Sequence, residues 1–188
     1  MKLRKGDNAV SFKMKDIFDK DVDLSALKGH KVYLSFFRNT SCPFCNLRAY
    51  QFIKMVPRLQ DKIKMIFIFE SKKDYLLNST FTDNLQHIHV ISDPEKQLYQ
   101  IYGVESSAIK RMSSVLSGKY SAQLKAFKDL NIEITKDEKE IDNNLIPADF
   151  LINEEQKIVE LHYGKNITDR MDEEVIVKFA EAKQAVIS

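Results

Sequence analysis

Short apolar runs alternate along the chain with stretches of helical spacing. Val32 to Phe37, Ile63 to Phe69, Ile88 to Ile91 and Phe150 to Ile152 are clusters of β-branched, aromatic and aliphatic residues. Runs of this length predict strands buried on both faces, as in a sheet covered by helices on each side. After Cys45, the positions Leu47, Tyr50, Phe52, Val56 and Leu59 form a broad helical face, until Pro57 bends or ends the helix. Further helices are predicted over Glu95 to Tyr102 and over Ser107 to Phe127. Near the C-terminus, Asp172, Glu173 and Glu174 open a stripe of Val175, Ile176, Phe179, Ala180 and Val186, with acidic residues suited to the positive end of the helix dipole. Phe150-Leu151-Ile152 and Ile158-Val159-Glu160-Leu161 flank the polar run Asn153 to Gln156 and predict an antiparallel hairpin.

Strand, helix, strand, helix, hairpin and final helix add up to a three-layer α/β domain with a mixed sheet. No repeat or linker divides the 188 residues, so the expectation is one domain over 1–188. The polar segment Asp129 to Asp142 is read as a surface excursion of that domain. Within the Val104 to Asp142 region, Met112, Val115, Leu116, Leu124 and Phe127 are expected to cover the core, with a dimer face as the alternative.

Composition narrows the class of partner. The 29 basic and 27 acidic residues leave a net charge of +2, too small for a global field that would gather nucleic acid or an anionic membrane. The stretch Met1 to Lys15 has no apolar segment of the kind a secretory signal needs, and no run is long enough to span a bilayer. The cytoplasm is therefore the expected compartment. In a reducing compartment the only two cysteines, Cys42 and Cys45, point to catalysis or metal binding rather than a permanent bridge.

Cys42 follows a predicted strand and precedes a predicted helix. Its sulfur is thus expected near the free N–H groups of the first helical turn, where thiolate is favoured over thiol. Pro43 suits that turn because its missing N–H has no helical partner to lose. Cys45, one turn further in, is placed to resolve a mixed disulfide or a sulfenic acid on Cys42. Alternatives stay open: a zinc site completed by His30, His87, His89 or His162, or buried cysteines with no chemistry.

The residues Phe36-Phe37-Arg38 and Cys42-Pro43-Phe44-Cys45-Asn46-Leu47-Arg48 resemble the motif of peroxiredoxin-like redoxins of the alkyl hydroperoxide reductase/thiol-specific antioxidant (AhpC/TSA) group, in particular the branch related to selenoprotein L. Ile146-Pro147-Ala148-Asp149-Phe150-Leu151-Ile152 is similar to that group's Pro-Ala-Asp-Phe-Leu-Ile strand, and His162-Tyr163-Gly164-Lys165-Asn166 with Asp169 to its following turn. The resemblance implies a thioredoxin-like fold with an N-terminal extension and a helical insertion before the C-terminal hairpin. It also implies a thiol-dependent oxidoreductase, without a cofactor, acting on a peroxide or a disulfide and re-reduced by a thiol system such as thioredoxin or glutathione. By the same resemblance Pro147 is expected to be a cis-proline opposite Cys42, exposing Ile146 backbone for an extended substrate.

The chain departs from the family pattern at two supports for peroxide cleavage. Ser35 and Asn39 stand where the group's Pro and Thr precede the active cysteine, and its later-strand arginine falls near Pro147. Arg38 is the candidate substitute, a guanidinium that could stabilise the thiolate and donate to a peroxide oxygen; the alternative is an ordinary ion-paired arginine. Asp149, two residues after Pro147, is expected to face the site as a proton acceptor for Cys45 or else to sit exposed at a strand start. The rival function is a non-catalytic thioredoxin-like binding module, or a zinc-holding one.

Overall fold

The structure is a computed structural model, and it describes residues 1–80, 82, 85, 87–132, 134 and 141–182. The central sheet has five strands in the order β5-β4-β3-β6-β7, formed by β3 (Val32–Phe36), β4 (Lys64–Phe69), β5 (Ile88–Ser92), β6 (Ala148–Ile152) and β7 (Ile158–Tyr163). β3 pairs in parallel with β4, and β4 with β5; β3 pairs antiparallel with β6, and β6 with β7, so the sheet is mixed as expected. The chain opens with a small antiparallel hairpin, β1 (Lys13–Lys15) and β2 (Asp21–Asp23), which its short, charged strands do not announce.

Alternation along the strands splits the core into two layers, because successive side chains point to opposite faces. Tyr33, Phe67, Phe69, Val90 and Leu151 pack on one face with α1 (Pro43–Leu59) and α6 (Glu173–Glu181). Leu34, Phe36, Ile66, Ile68, Phe150 and Ile152 pack on the other with α3 (Gln97–Ile101) and the N-terminal segment. A short α2 (Lys73–Leu77), absent from the sequence expectation, lies between β4 and β5. This is the three-layer thioredoxin-like α/β fold that the chain was expected to adopt. No described helix is long and apolar enough to cross a membrane.

α1 runs two residues past Pro57, to Leu59. A proline this close to the C-terminal end removes one helical N–H bond and leaves little helix to disrupt. The buried stripe of α1 is Cys45, Ala49, Phe52, Val56 and Leu59, while Tyr50 stands half-buried beside it. Cys45 is therefore pinned to the sheet by the same periodicity that docks the helix.

The single helix expected over Ser107 to Phe127 is two: α4 (Ala108–Ser114) and α5 (Gly118–Asp129). The break carries Ser117, whose hydroxyl donates to the Ser114 carbonyl (2.7 Å), a local bond that competes with helix continuation. Core covering holds for Leu124, which packs against the α1 side of the core, and Phe127 is half-buried; Tyr120, not among the residues expected there, packs on the same side. It fails for Met112, Val115 and Leu116, which are 74%, 66% and 90% exposed, because Met112 faces outward on the short α4 and Val115 and Leu116 fall in the turn between α4 and α5. Residues 133 and 135–140 of the expected surface excursion, and Val186 of the terminal stripe, lie outside the described residues.

Pro147 corrects an expectation. No described peptide bond is cis, and Ile146–Pro147 is trans. The Ile146 N–H donates to the Glu105 carbonyl (2.9 Å) and the Pro147 carbonyl accepts from the Gly164 N–H (2.9 Å), so the backbone enters β6 with its polar groups already paired inside the domain. Ile146 is thereby engaged at the position where an extended partner was expected to pair.

Phe67 is fully buried and packs against the rings of Tyr33, Phe37 and Phe52, with centroids 6.0, 4.8 and 5.9 Å away. Phe67→Ala should cost about 3–5 kcal/mol of stability, whereas Leu116→Ala should stay within about 0.5 kcal/mol of the parent protein. Urea unfolding of both variants checks the contrast.

Candidate active site

The end of β3 and the start of α1 build the site. Cys42 is the N-cap of α1 in an extended conformation (φ −84°, ψ 114°), and Pro43 is the first helical residue. The Cys42 carbonyl accepts from the Cys45 and Asn46 N–H groups (both 3.1 Å), and the Asn46 side chain donates to the carbonyls of Thr40 (2.7 Å) and Cys42 (2.9 Å). These bonds lock the loop that carries the first sulfur. Both thiols are free and buried, with Cys42 3% and Cys45 2% exposed.

Arg38, at the end of β3, meets both sulfurs. Its Nη1 donates to Cys42 Sγ (3.3 Å), its backbone N–H to Cys45 Sγ (3.4 Å), and its Nη2 to the Asn143 carbonyl (2.7 Å). Burial alone would push the Cys42 thiol up, but hydrogen bonding from Cys45 and the charges of Arg38 and Arg170 outweigh it and bring the value down to about 6. Burial and the adjacent Cys42 push the Cys45 thiol well above its ordinary value. The two sulfurs, hydrogen-bonded to each other, are thus pushed in opposite directions, Cys42 toward the thiolate and Cys45 toward the thiol.

Two buried polar atoms of the segment between β3 and Cys42 have no hydrogen-bond partner among the described residues: Arg38 Nε, a donor, and Asn39 Oδ1, an acceptor. The Asn39 amide is oriented by its Nδ2, which donates to Glu70 Oε1 (3.1 Å). Glu70 also accepts from the Asp142 N–H (2.9 Å), which ties the segment after the helical insertion to the site.

Asp149 faces the cysteine side of the sheet, as strand alternation predicts, but it is fully buried rather than exposed. Its carboxylate accepts from Tyr33 OH (2.8 Å), Ser35 Oγ (2.6 Å), Arg170 Nη1 (3.3 Å) and the Met171 N–H (3.0 Å). Burial would raise its pKa, but the Arg170 and Arg48 charges and these bonds hold it below the ordinary carboxylate value. No direct bond joins Asp149 to Cys45 among those described. Pro147 is buried at the head of β6 and donates nothing to the sulfurs.

Arg170 and Arg48 were not foreseen as site residues. Arg170 lies in the loop before α6, 21 residues from Asp149, and no spacing rule links the two. Arg48 belongs to the quoted motif but was assigned no role; it donates to the Met171 carbonyl (2.7 Å), Tyr33 OH (3.4 Å) and Glu173 (3.2 Å). Among the described residues no group of three or more His, Cys, Asp or Glu side chains is arranged to hold a metal ion, and His89 is bonded to Asp16 (2.8 Å).

A buried cysteine at a helix N-cap, a second one turn later and a guanidinium on the first sulfur, carried by a thioredoxin-like sheet, define a thiol redox protein. The AhpC/TSA family profile matches residues 5–161, and the chain belongs to that family. Among solved structures it is similar to a peroxiredoxin-like protein from Aquifex aeolicus (16% identity, TM-score 0.66, covering 96% of this chain and 87% of that one). It also resembles a thiol peroxidase from Chromobacterium violaceum (17%, 0.63, 95% and 86%) and the exposed lipoprotein thioredoxin Etrx1 of Streptococcus pneumoniae strain TIGR4 (18%, 0.57, 91% and 98%). At these identities the likeness is one of fold. No curated protein matches the sequence.

The low Cys42 value fixes a sign. In the unfolded chain the thiol ionises near 9.0 and in the folded protein near 6, so between these values the unfolded state holds the extra proton. Cys42 therefore makes the reduced protein more stable as pH rises through this window, and that contribution is lost as pH falls through about 6. Thiolate absorbance should grow through about pH 6 and vanish in Cys42→Ser; growth only near pH 9 would contradict the geometry.

Proposed function

We propose that this protein is a thiol peroxidase of the selenoprotein L-related branch, in which Cys42 attacks a peroxide and Cys45 resolves the product. The observation that carries the reading is the Arg38 guanidinium, whose Nη1 lies 3.3 Å from Cys42 Sγ, with Arg38 Nε and the Oδ1 of the next residue, Asn39, left unpartnered. A hydroperoxide is both donor and acceptor, and these atoms offer one of each. Asn39 stands where the family's threonine would, and Arg38, four residues before Cys42, is the candidate for the role of the family's arginine.

In the first step the Cys42 thiolate attacks one peroxide oxygen. An S–O bond forms, the O–O bond breaks, and the leaving oxygen departs as water or alcohol after taking a proton from solvent water. Cys42 is oxidised to the sulfenic acid and the peroxide is reduced. Arg38 meets the charge that develops on the oxygens. In the second step the Cys45 sulfur attacks the sulfenic sulfur; the S–S bond forms, and the hydroxyl leaves as water with the Cys45 proton. An external dithiol or two monothiols, as in thioredoxin or glutathione systems, would return the pair to the starting state.

Access favours a small oxidant over a protein disulfide as substrate. Both sulfurs are nearly inaccessible, and the Ile146 N–H that an extended partner would use is bonded to Glu105. Thiol-disulfide exchange through the C-x-x-C pair is the second reading, and it requires the covering elements to open. Asp149 serves this scheme through the residues it holds, because a carboxylate kept ionised by its partners is a weak proton acceptor.

Stopped-flow oxidation of the reduced protein by hydrogen peroxide, with mass spectrometry of the products, tests the assignment. The expected outcome is rapid loss of two hydrogens in the parent protein, none in Cys42→Ser, and a trapped sulfenic acid in Cys45→Ser. Arg38→Met should slow the first step by about 10²–10³-fold, the cost of losing an oriented donor. Slow peroxide reaction together with fast exchange against a disulfide would select the second reading.

A further inference from the structure

The backbone beside the dithiol is paired by a segment of the same chain that belongs to neither sheet. Between α3 and α4 the chain runs out along residues 144–146. The Ile146 N–H donates to the Glu105 carbonyl (2.9 Å), the Ser107 N–H donates to the Asn144 carbonyl (2.8 Å), and Ser106 forms an antiparallel bridge with Leu145. This is a single rung of a β-ladder, the arrangement an extended peptide makes when it adds to a backbone edge. The edge itself lies against the site. Ile146 packs in the core cluster that holds Cys42 and Cys45, and Arg38 spans from Cys42 Sγ (3.3 Å) to the Asn143 carbonyl (2.7 Å).

The segment is anchored at both ends and lightly held in the middle. At one end Gly103, with φ +66°, makes the turn, and the Val104 N–H donates to the Tyr99 carbonyl (2.8 Å). At the other, Ser107 caps α4, its Oγ accepting from the Lys110 N–H (3.4 Å). In between, Ser106 is exposed, and Glu105 Oε1 accepts from Lys2 Nζ (2.7 Å) and Lys110 Nζ (2.6 Å). These ion pairs are partly exposed, so each contributes little to holding the segment closed.

We propose that residues 105–107 are a strap that occupies the peptide-binding edge of the dithiol site and sets its substrate class. With the strap closed the site takes small oxidants, and a polypeptide disulfide reacts only when the strap lifts. The inference rests on the thiol redox reading above and names the selectivity of that same site. In the reaction the strap restrains, the Cys42 thiolate attacks one sulfur of the partner's disulfide; that S–S bond breaks, a mixed disulfide forms, and the first partner thiolate leaves and takes a proton from water. The Cys45 sulfur then attacks Cys42, the mixed disulfide breaks, and the second partner thiol leaves with the Cys45 proton, so two electrons pass from the dithiol to the partner. Such a partner has to lie extended beside the sulfurs, where the Ile146 N–H and the Asn144 carbonyl are already taken by residues 105 and 107.

The test compares reduced parent protein, Ser107→Pro and Glu105→Ala in their rates with insulin as a protein disulfide, dithiodipyridine as a small one, and hydrogen peroxide. Near-ultraviolet circular dichroism is the control for folding. Proline at 107 removes the N–H that pairs with Asn144, and alanine at 105 removes the carboxylate clasp but leaves the carbonyl. Insulin reduction should rise by about 3–10-fold in Ser107→Pro, the weight of one backbone hydrogen bond in the closed state, and by less in Glu105→Ala. Rates with the small disulfide and with peroxide should stay at the parent values. An equal rise with all three substrates means that the sulfurs have merely been uncovered, and it overturns the proposal, as does an unchanged insulin rate in folded variants. Amide hydrogen exchange on the parent decides even if neither variant folds: the Ile146 N–H should exchange through a local opening, faster than the Phe150 N–H inside β6. Equal protection of the two marks residues 105–107 as a fixed part of the fold and overturns the strap. A parent that ignores peroxide fails the proposed reaction, whereas unchanged selectivity toward insulin fails the strap, so the two failures are read separately.

Discussion

A full negative charge at Asp149, shut away from water in the middle of the sheet, is the constraint around which the site is arranged. A carboxylate in that position is tolerable only when paired and hydrogen-bonded. The partners it requires come from separate places: Tyr33 and Ser35 from β3, Arg170 and the Met171 N–H from the chain before α6. Satisfying one carboxylate thus sets Ser35 opposite Asp149 in the β3–β6 register and draws the approach to α6 toward the sheet. Arg48 joins the same cluster from α1, one turn beyond Cys45.

The cysteines inherit their environment from this arrangement. α1 presents Cys45 on its docking stripe and leaves Cys42 at its cap, where the free N–H groups of the first turn favour an anion. Arg38 spans from the sulfur to Asn143, on the far side of the helical insertion, and Tyr120 of α5 packs its ring 5.0 Å from that of Phe44. The insertion and the strand end therefore close over the dithiol together. The apolar positions of α4, by contrast, contribute nothing to that closure.

Much of this was legible in the sequence because it depends on local pattern. The apolar runs at 32–37 and 63–69 became the parallel centre of the sheet, Cys42 and Pro43 marked a helix start, and the period of a strand put Asp149 on the cysteine face. What escaped depends on distant partners. Arg170 carries no signature in its neighbours, and its role exists only once β6 and the loop before α6 are folded together. The pairing of the backbone around Pro147, through a carbonyl of Glu105 and an N–H of Gly164, is likewise supplied from a distance and encoded by no motif around the proline. The apolar residues of α4 show the reverse failure: their pattern is helical, but whether a stripe faces inward is decided by what lies beneath it.

The pairing of Arg38 with the Cys42 sulfur also fixes the electrical balance of the interior across a redox event. Any oxidation of Cys42 to a neutral product removes an anion while the guanidinium stays, buried and still charged. The interior then carries one more uncompensated positive charge than before, in surroundings too poorly hydrated to screen it. Stabilising the anion therefore biases the couple toward its reduced form, and an oxidised centre of this kind is a strong electron acceptor. The charge that favours the anionic sulfur also makes an oxidised form of it the more readily undone.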